Sequence, residues 1–211
     1  MSPRALAVLL ITAMCVATAP MPAAAQSQDT LVAQTDALLR SASVESLDGL
    51  FQSVHAVSTS PEDAATICRA LASPARSSGD TFLQLAQELT PANRDRLTGA
   101  IGDVALSAWL GQPAAFDEKA ARLSLRQAGV RAAILNEGFS ASALGAIDAH
   151  AERDAEVEAL RCRSLGWLLD AVAGQPLEER AAITRLMLRD GLASLLQAAV
   201  EPSPDVSNPD H

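Results

Sequence analysis

Apolar residues recur at three- and four-residue steps through most of this chain, and runs that alternate apolar with polar are absent. Between about Asp29 and Ala42, Leu31, Leu38 and Leu39 fall on one helical face. From about Glu45 to Val57, Leu47, Leu50, Phe51 and Val54 repeat that rhythm, as a helix with one buried stripe requires. Ser60-Pro61-Glu62-Asp63 reads as the start of a third helix. Serine accepts from orphan amides, proline suits the first turn, and acids suit the positive end of the dipole. That helix carries Ile67, Cys68 and Leu71 and stops near Ser73-Pro74. Ser77 to Asp80 open a short fourth helix with Phe82, Leu85, Ala86 and Leu89 as its stripe. Thr90-Pro91 repeats the capping pattern, and Leu97, Ile101, Val104, Ala108 and Trp109 follow up to Gly111.

A sixth segment begins near Phe116 or Asp117, with a break expected at Gly129 before Val130, and Asn136-Glu137-Gly138 closes it. Ser140 opens the longest helical stretch, which ends at Gly174 and is divided at Gly145 or in the charged residues after His150. Leu160, Leu168, Leu169 and Val172 form its inward side. Gln175-Pro176 turns the chain into a last helix that runs to about Glu201, carrying Ile183, Met187, Leu188, Leu192, Leu195 and Leu196. Short connections imply antiparallel neighbours. The fold class is therefore all-α: a single-domain antiparallel helical bundle or compact helical array of about seven to nine helices. The expected core comprises Leu50, Phe51, Ile67, Leu71, Phe82, Leu85, Leu97, Ile101, Trp109, Leu160, Leu168, Leu188, Leu192 and Leu195. Gly99 and Gly102 weaken their helix, and their missing side chains leave room for a close approach by another helix.

Composition strengthens the helical reading. Alanine and leucine supply about a third of the residues, aromatics only 3%, and tyrosine is absent. Strands need the β-branched and aromatic side chains that this chain withholds.

The first twenty-five residues have a different pattern. Arg4 precedes an apolar run from Ala5 to Val16 that only Thr12 interrupts; Pro20 and Pro22 break it, and Ala23-Ala24-Ala25 follows. This predicts a secretory signal over 1–25, cut before Gln26, then one helical domain over 26–201 and a disordered acidic tail over 202–211 with Pro202, Pro204 and Pro209. The apolar run is short of the roughly 20 residues that span a bilayer, so no stable membrane insertion is expected after cleavage. Cys15 lies inside the run and leaves with it. The Ala/Arg-rich, Lys-poor composition points to a bacterium of high genomic GC, hence to the periplasm, with secretion to the medium as the alternative.

Export changes the reading of the two remaining cysteines. Cys68 and Cys162 are predicted to form a disulfide, since an even count in an oxidising compartment favours one. The net charge of −9 moves to about −10 without Arg4, which repels nucleic acid and anionic lipid.

Candidate chemistry is sparse. His150, Asp154 and Glu158 stand four residues apart on one helical face, and imidazole with two carboxylates can hold a divalent metal. Arg153 and Arg161 offer simple ion pairs for the same acids. Glu88, Glu137 and Asp170 sit beside apolar residues and are candidates for half-buried carboxylates, each with an ordinary alternative. The single lysine, Lys119, is explained by pairing within Asp117-Glu118-Lys119. No nucleophile elbow, C-x-x-C, P-loop or dinucleotide fingerprint occurs, so no catalytic residue and no cofactor are assigned. Trp109 and Trp167 belong to the core by default, whereas a surface-facing Trp167 beside Gly166 would mark a partner groove. The expectation is a non-catalytic envelope protein that binds another protein or a peptide. The alternative is an all-helical hydrolase whose carboxylates gather only in the fold.

Overall fold

The structure, a computed structural model, describes residues 28–72, 86–141, 144 and 155–200. Among these residues every regular element is a helix. In chain order they are α1 (Gln28–Ser41), α2 (Val44–Ser58), α3 (Ala64–Ala72), α4 (Pro91–Leu110), α5 (Glu118–Leu135), α6 (Ala155–Ala173) and α7 (Leu177–Val200). No helix among them is long and apolar enough to cross a membrane. The predicted leader, the tail, Phe82, Leu85, Gly145, His150 and Asp154 lie outside the described residues, as do the side chains of Leu71, Leu192 and Leu195.

Local chemistry sets the helix ends. Ser43 accepts from the Ser46 amide at 3.1 Å and opens α2; Asp117 accepts from the Ala120 amide at 2.9 Å and opens α5. Pro91 occupies the first turn of α4, where its missing N–H costs nothing. Gly138, at φ +88°, turns the chain after α5 in a conformation that glycine adopts freely. Gly129 does not break α5. Its cost of roughly 1 kcal/mol against alanine is outweighed by the inner stripe of Ala121, Ala128 and Ala132, all buried. Ser60-Pro61-Glu62-Asp63 does lead into α3, and the Asp63 carbonyl accepts from the Ile67 amide, but the Asp63 side chain turns away from the helix end. It is buried, and it holds the start of α4 instead.

α7 packs along α1, α2 and α5, while α2 also meets α3, α4 and α6. These two helices divide the core. On one side Leu47, Leu50 and Val57 of α2 gather Ile67, Leu89, Leu97, Ala100, Val104 and Ala108. On the other, Phe51 joins Ala128 and Ala132 of α5, Leu169 and Val172 of α6, and Ile183 of α7. Val54 touches both clusters. Fully buried side chains such as Leu47 and Ile183 each contribute about 1.5–3 kcal/mol of transfer free energy. Glu118 at the start of α5 pairs with Arg189, midway along α7, whereas Ala132 of α5 shares a cluster with Ile183, nearer the start of α7. Those two helices therefore run antiparallel.

Leu50, Phe51, Ile67 and Leu97 are buried as expected, and Leu160, Leu168 and Leu188 are half-buried. Ile101 and Trp109 are not in the core: they are 42% and 81% exposed. Leu97, Ala100, Val104 and Ala108 already complete a three-four stripe on α4, and Trp109 lies 100° round the helix from Ala108. Leu38 and Met187 are likewise exposed. Nor do Gly99 and Gly102 admit a neighbouring helix, since nothing stands within 4 Å of either missing Cβ. The close approach is made at Gly111, which lies against the Ser41 and Ser107 carbonyl oxygens.

Candidate interaction surface

The chemistry-bearing residues are tied into the scaffold pair by pair. Cys68 of α3 and Cys162 of α6 form a disulfide with their Cα atoms 5.5 Å apart. His55, in the last turn of α2, stacks on Phe51 and places Nε2 2.8 Å from the Asp170 carboxylate on α6. Glu88 is exposed and pairs with Arg69 at 2.7 Å; Glu137 is exposed. Asp170 thus finds its partner on a neighbouring helix, and it too is exposed, as is Lys119. Glu158, the one described member of the metal candidate, is half-buried on α6. Among the described residues no three His, Cys, Asp or Glu side chains gather as metal ligands.

Buried charges fasten helices to one another. Asp63 accepts from the Thr90 hydroxyl at 2.6 Å, the Thr90 amide at 3.0 Å and the Asn93 side-chain amide at 2.6 Å. The Thr90 and Asn93 bonds hold its carboxyl below the usual carboxylate range, against a burial that pushes it up. Thr90 therefore gives its side chain to Asp63 and makes no cap bond to α4. Arg180 grips Asp48 through two bonds and donates to the Gln175 carbonyl, joining α7 to α2. Arg185 donates to the Leu39 and Ala42 carbonyls at the end of α1, and burial pushes its pKa down. Phe116 lies under both Arg185 and Arg189. Arg189 and Arg122 converge on Glu118 and hold it down to about 2.

Two helices also expose several large apolar side chains each. On α4, Leu106, Trp109 and Leu110 project on the side opposite the Ala100–Val104 core stripe, and all three are exposed. Ala105 and the bare backbone of Gly102 continue this side. The end of α4 that carries it is held firmly. Ser107 accepts from the Ser43 amide and meets the Ser46 hydroxyl at 2.6 Å, while the Ala114 amide donates to the Arg40 carbonyl. Trp109 is thus presented by a helix end clamped against the α1–α2 corner. Trp167 takes the role expected of either tryptophan, half-buried against the second core cluster. Reading Trp109 as core missed one signal. The stripe through Ala108 was already complete, so a large apolar residue one step further had to face outward. On α5, Leu123, Val130, Ile134 and Leu135 are exposed in the same way.

Comparison with protein-family models, with curated proteins and with solved structures finds no match to this chain.

Proposed function

We propose that the chain is exported, cut before Gln26, and works outside the cytoplasm, in the periplasm first, as a non-catalytic protein that binds another protein or a peptide. The observation that carries the binding reading is Trp109: 81% exposed, beside Leu106 and Leu110, on a clamped helix end. Exposed aromatics in apolar surroundings supply most of the free energy of typical protein interfaces. The disulfide supports an oxidising compartment. Among the described residues the carboxylates whose pKa values move, Asp63 and Glu118, move down, whereas an acid catalyst needs one moved up.

Affinity capture from an oxidised envelope fraction tests this reading, with the mature chain and its Trp109→Asp variant as paired baits. A partner retained by the first and weakened about tenfold or more on the second is the expected result. Reproducible retention of nothing, or equal retention on both baits, would remove the reading. Mass spectrometry of the isolated protein checks the address separately, since a chain that keeps Met1 contradicts export.

A further inference from the structure

We propose that the outward face of α5 is a docking seam for an acid-flanked amphipathic helix of a partner protein. This goes beyond the binding reading above, on a face separate from the α4 surface around Trp109, and rests on that reading only in taking the chain to bind other proteins.

The inner side of α5 needs only Ala121, Ala128 and Ala132, with Leu125 beside them, to reach the core. A second stripe faces away. Leu123, Gln127, Val130 and Ile134 follow one another at steps of four, three and four, the rhythm of a coiled-coil seam. Val130 is 60% exposed and Ile134 77%. A core-facing helix has no use for this second file, and no described element covers it.

The flanks of the seam identify what fits it. With Leu123 and Val130 at one core position of the heptad and Gln127 and Ile134 at the other, Lys119, Arg126 and Arg131 occupy the flanking positions that choose a coiled-coil partner. All three are exposed, and none meets a carboxylate among the described residues. The end of Arg131 lies beside Gly174. Arg122, on the same helix, is by contrast held by Glu118 and Asp190. Between Glu118 and Leu135 the helix bears four cations and one acid, in a chain whose net charge is −9. The bias is local and opposes the whole.

Charge complementarity excludes a second copy of this chain, because either orientation of a self-pair sets cation against cation across the seam. It favours a helix with leucine-type residues at its core positions and Glu or Asp beside them. A lipid surface is a poorer fit. The seam is one residue file wide with Gln127 at its middle, whereas a helix lying in a bilayer interface needs a broad apolar face. The acidic remainder of the molecule also repels anionic headgroups. Gln127 gives register, since it penalises partners that place an apolar residue opposite it.

The test uses two three-heptad peptides with identical core positions, leucine throughout except for one central glutamine to face Gln127, one peptide with Glu at the flanking positions and one with Lys. Each is titrated against the mature, oxidised chain by fluorescence anisotropy. The Glu peptide is expected to bind at least about tenfold tighter than the Lys peptide, and more weakly as salt rises. The double variant Arg126→Glu, Arg131→Glu should reverse the preference, and Ile134→Asp should abolish binding of both. These side chains are exposed, and circular dichroism verifies that each variant keeps its helices. Equal binding of the two peptides, binding of neither, or tight binding to Ile134→Asp overturns the proposal. So does a loss of binding caused by Trp109→Asp, which would place the peptide on α4. Sedimentation with vesicles of equal phosphatidylglycerol and phosphatidylcholine, prevented by the double variant while the Glu peptide fails to bind, would make the face a membrane surface and also overturn it. If the Glu peptide fails while Trp109-dependent capture persists, the α5 seam alone is lost and the function proposed for the chain stands.

Discussion

A Cβ on Gly111 would run into the carbonyl oxygens of Ser41 and Ser107, both backbone atoms that cannot rotate away. At Gly99 and Gly102 the same atom would meet open space. The three glycines all lie in or just after α4, yet they predict opposite effects. Gly111→Ala should destabilise the protein by about 1–3 kcal/mol, because the α1–α2 corner must move to admit a methyl group. Gly99→Ala and Gly102→Ala should each stabilise it by up to about 1 kcal/mol through helix propensity. Urea denaturation of the three variants checks the signs, and a stabilised Gly111→Ala would contradict the close approach. Nothing in the local sequence separates these positions. Gly99-x-x-Gly102 has the look of a helix-contact motif and Gly111 that of an ordinary helix stop. The distinction resides in Ser41, seventy residues away along the chain.

Among the elements, α3 depends most on distant partners. Nine residues make a helix too short to persist alone in water, and α3 has three anchors: Ile67 in the first core cluster, Asp63 bound to the start of α4, and Cys68 bound to α6. The disulfide joins positions 94 residues apart, so the chain-entropy model assigns it about 4–5 kcal/mol of stabilisation. A Cys68→Ser, Cys162→Ser variant should therefore lose a comparable amount, seen as a lower denaturation midpoint by circular dichroism. An unchanged midpoint would mean that the other anchors suffice. This link was readable before any fold was known, because two cysteines in a chain read as exported have one pairing to make. The Asp63 anchor was not. Its sequence context resembles a helix N-terminus so closely that only the positions of Thr90 and Asn93 reveal its use.

At the level of the whole molecule, two carboxylates couple stability to acidity. Asp63 and Glu118 both bind protons less readily in the folded protein than their ordinary values would give, Glu118 down to about 2. Their contribution is complete above the ordinary carboxylate values near 4 and is lost as pH falls through the folded values. Thermal melts should thus show a midpoint that is flat from neutrality to about pH 5 and falls below about pH 4. In Asp63→Asn, Glu118→Gln that acid limb should flatten, with a lower midpoint at neutral pH. A wild-type midpoint that rises on acidification would contradict these placements. The amino-acid sequence by itself determined the helical class, the ends of most helices, the cysteine pairing and the inner stripes of α2 and α6, because these follow from periodicity, capping and a count of two cysteines beyond the first twenty-five residues. The tertiary structure alone decided which large apolar residues stay outside. A helix face is core or surface only by virtue of what packs against it. α4 and α5 each need one stripe for the interior, so Trp109 on one and Ile134 on the other are left on the surface.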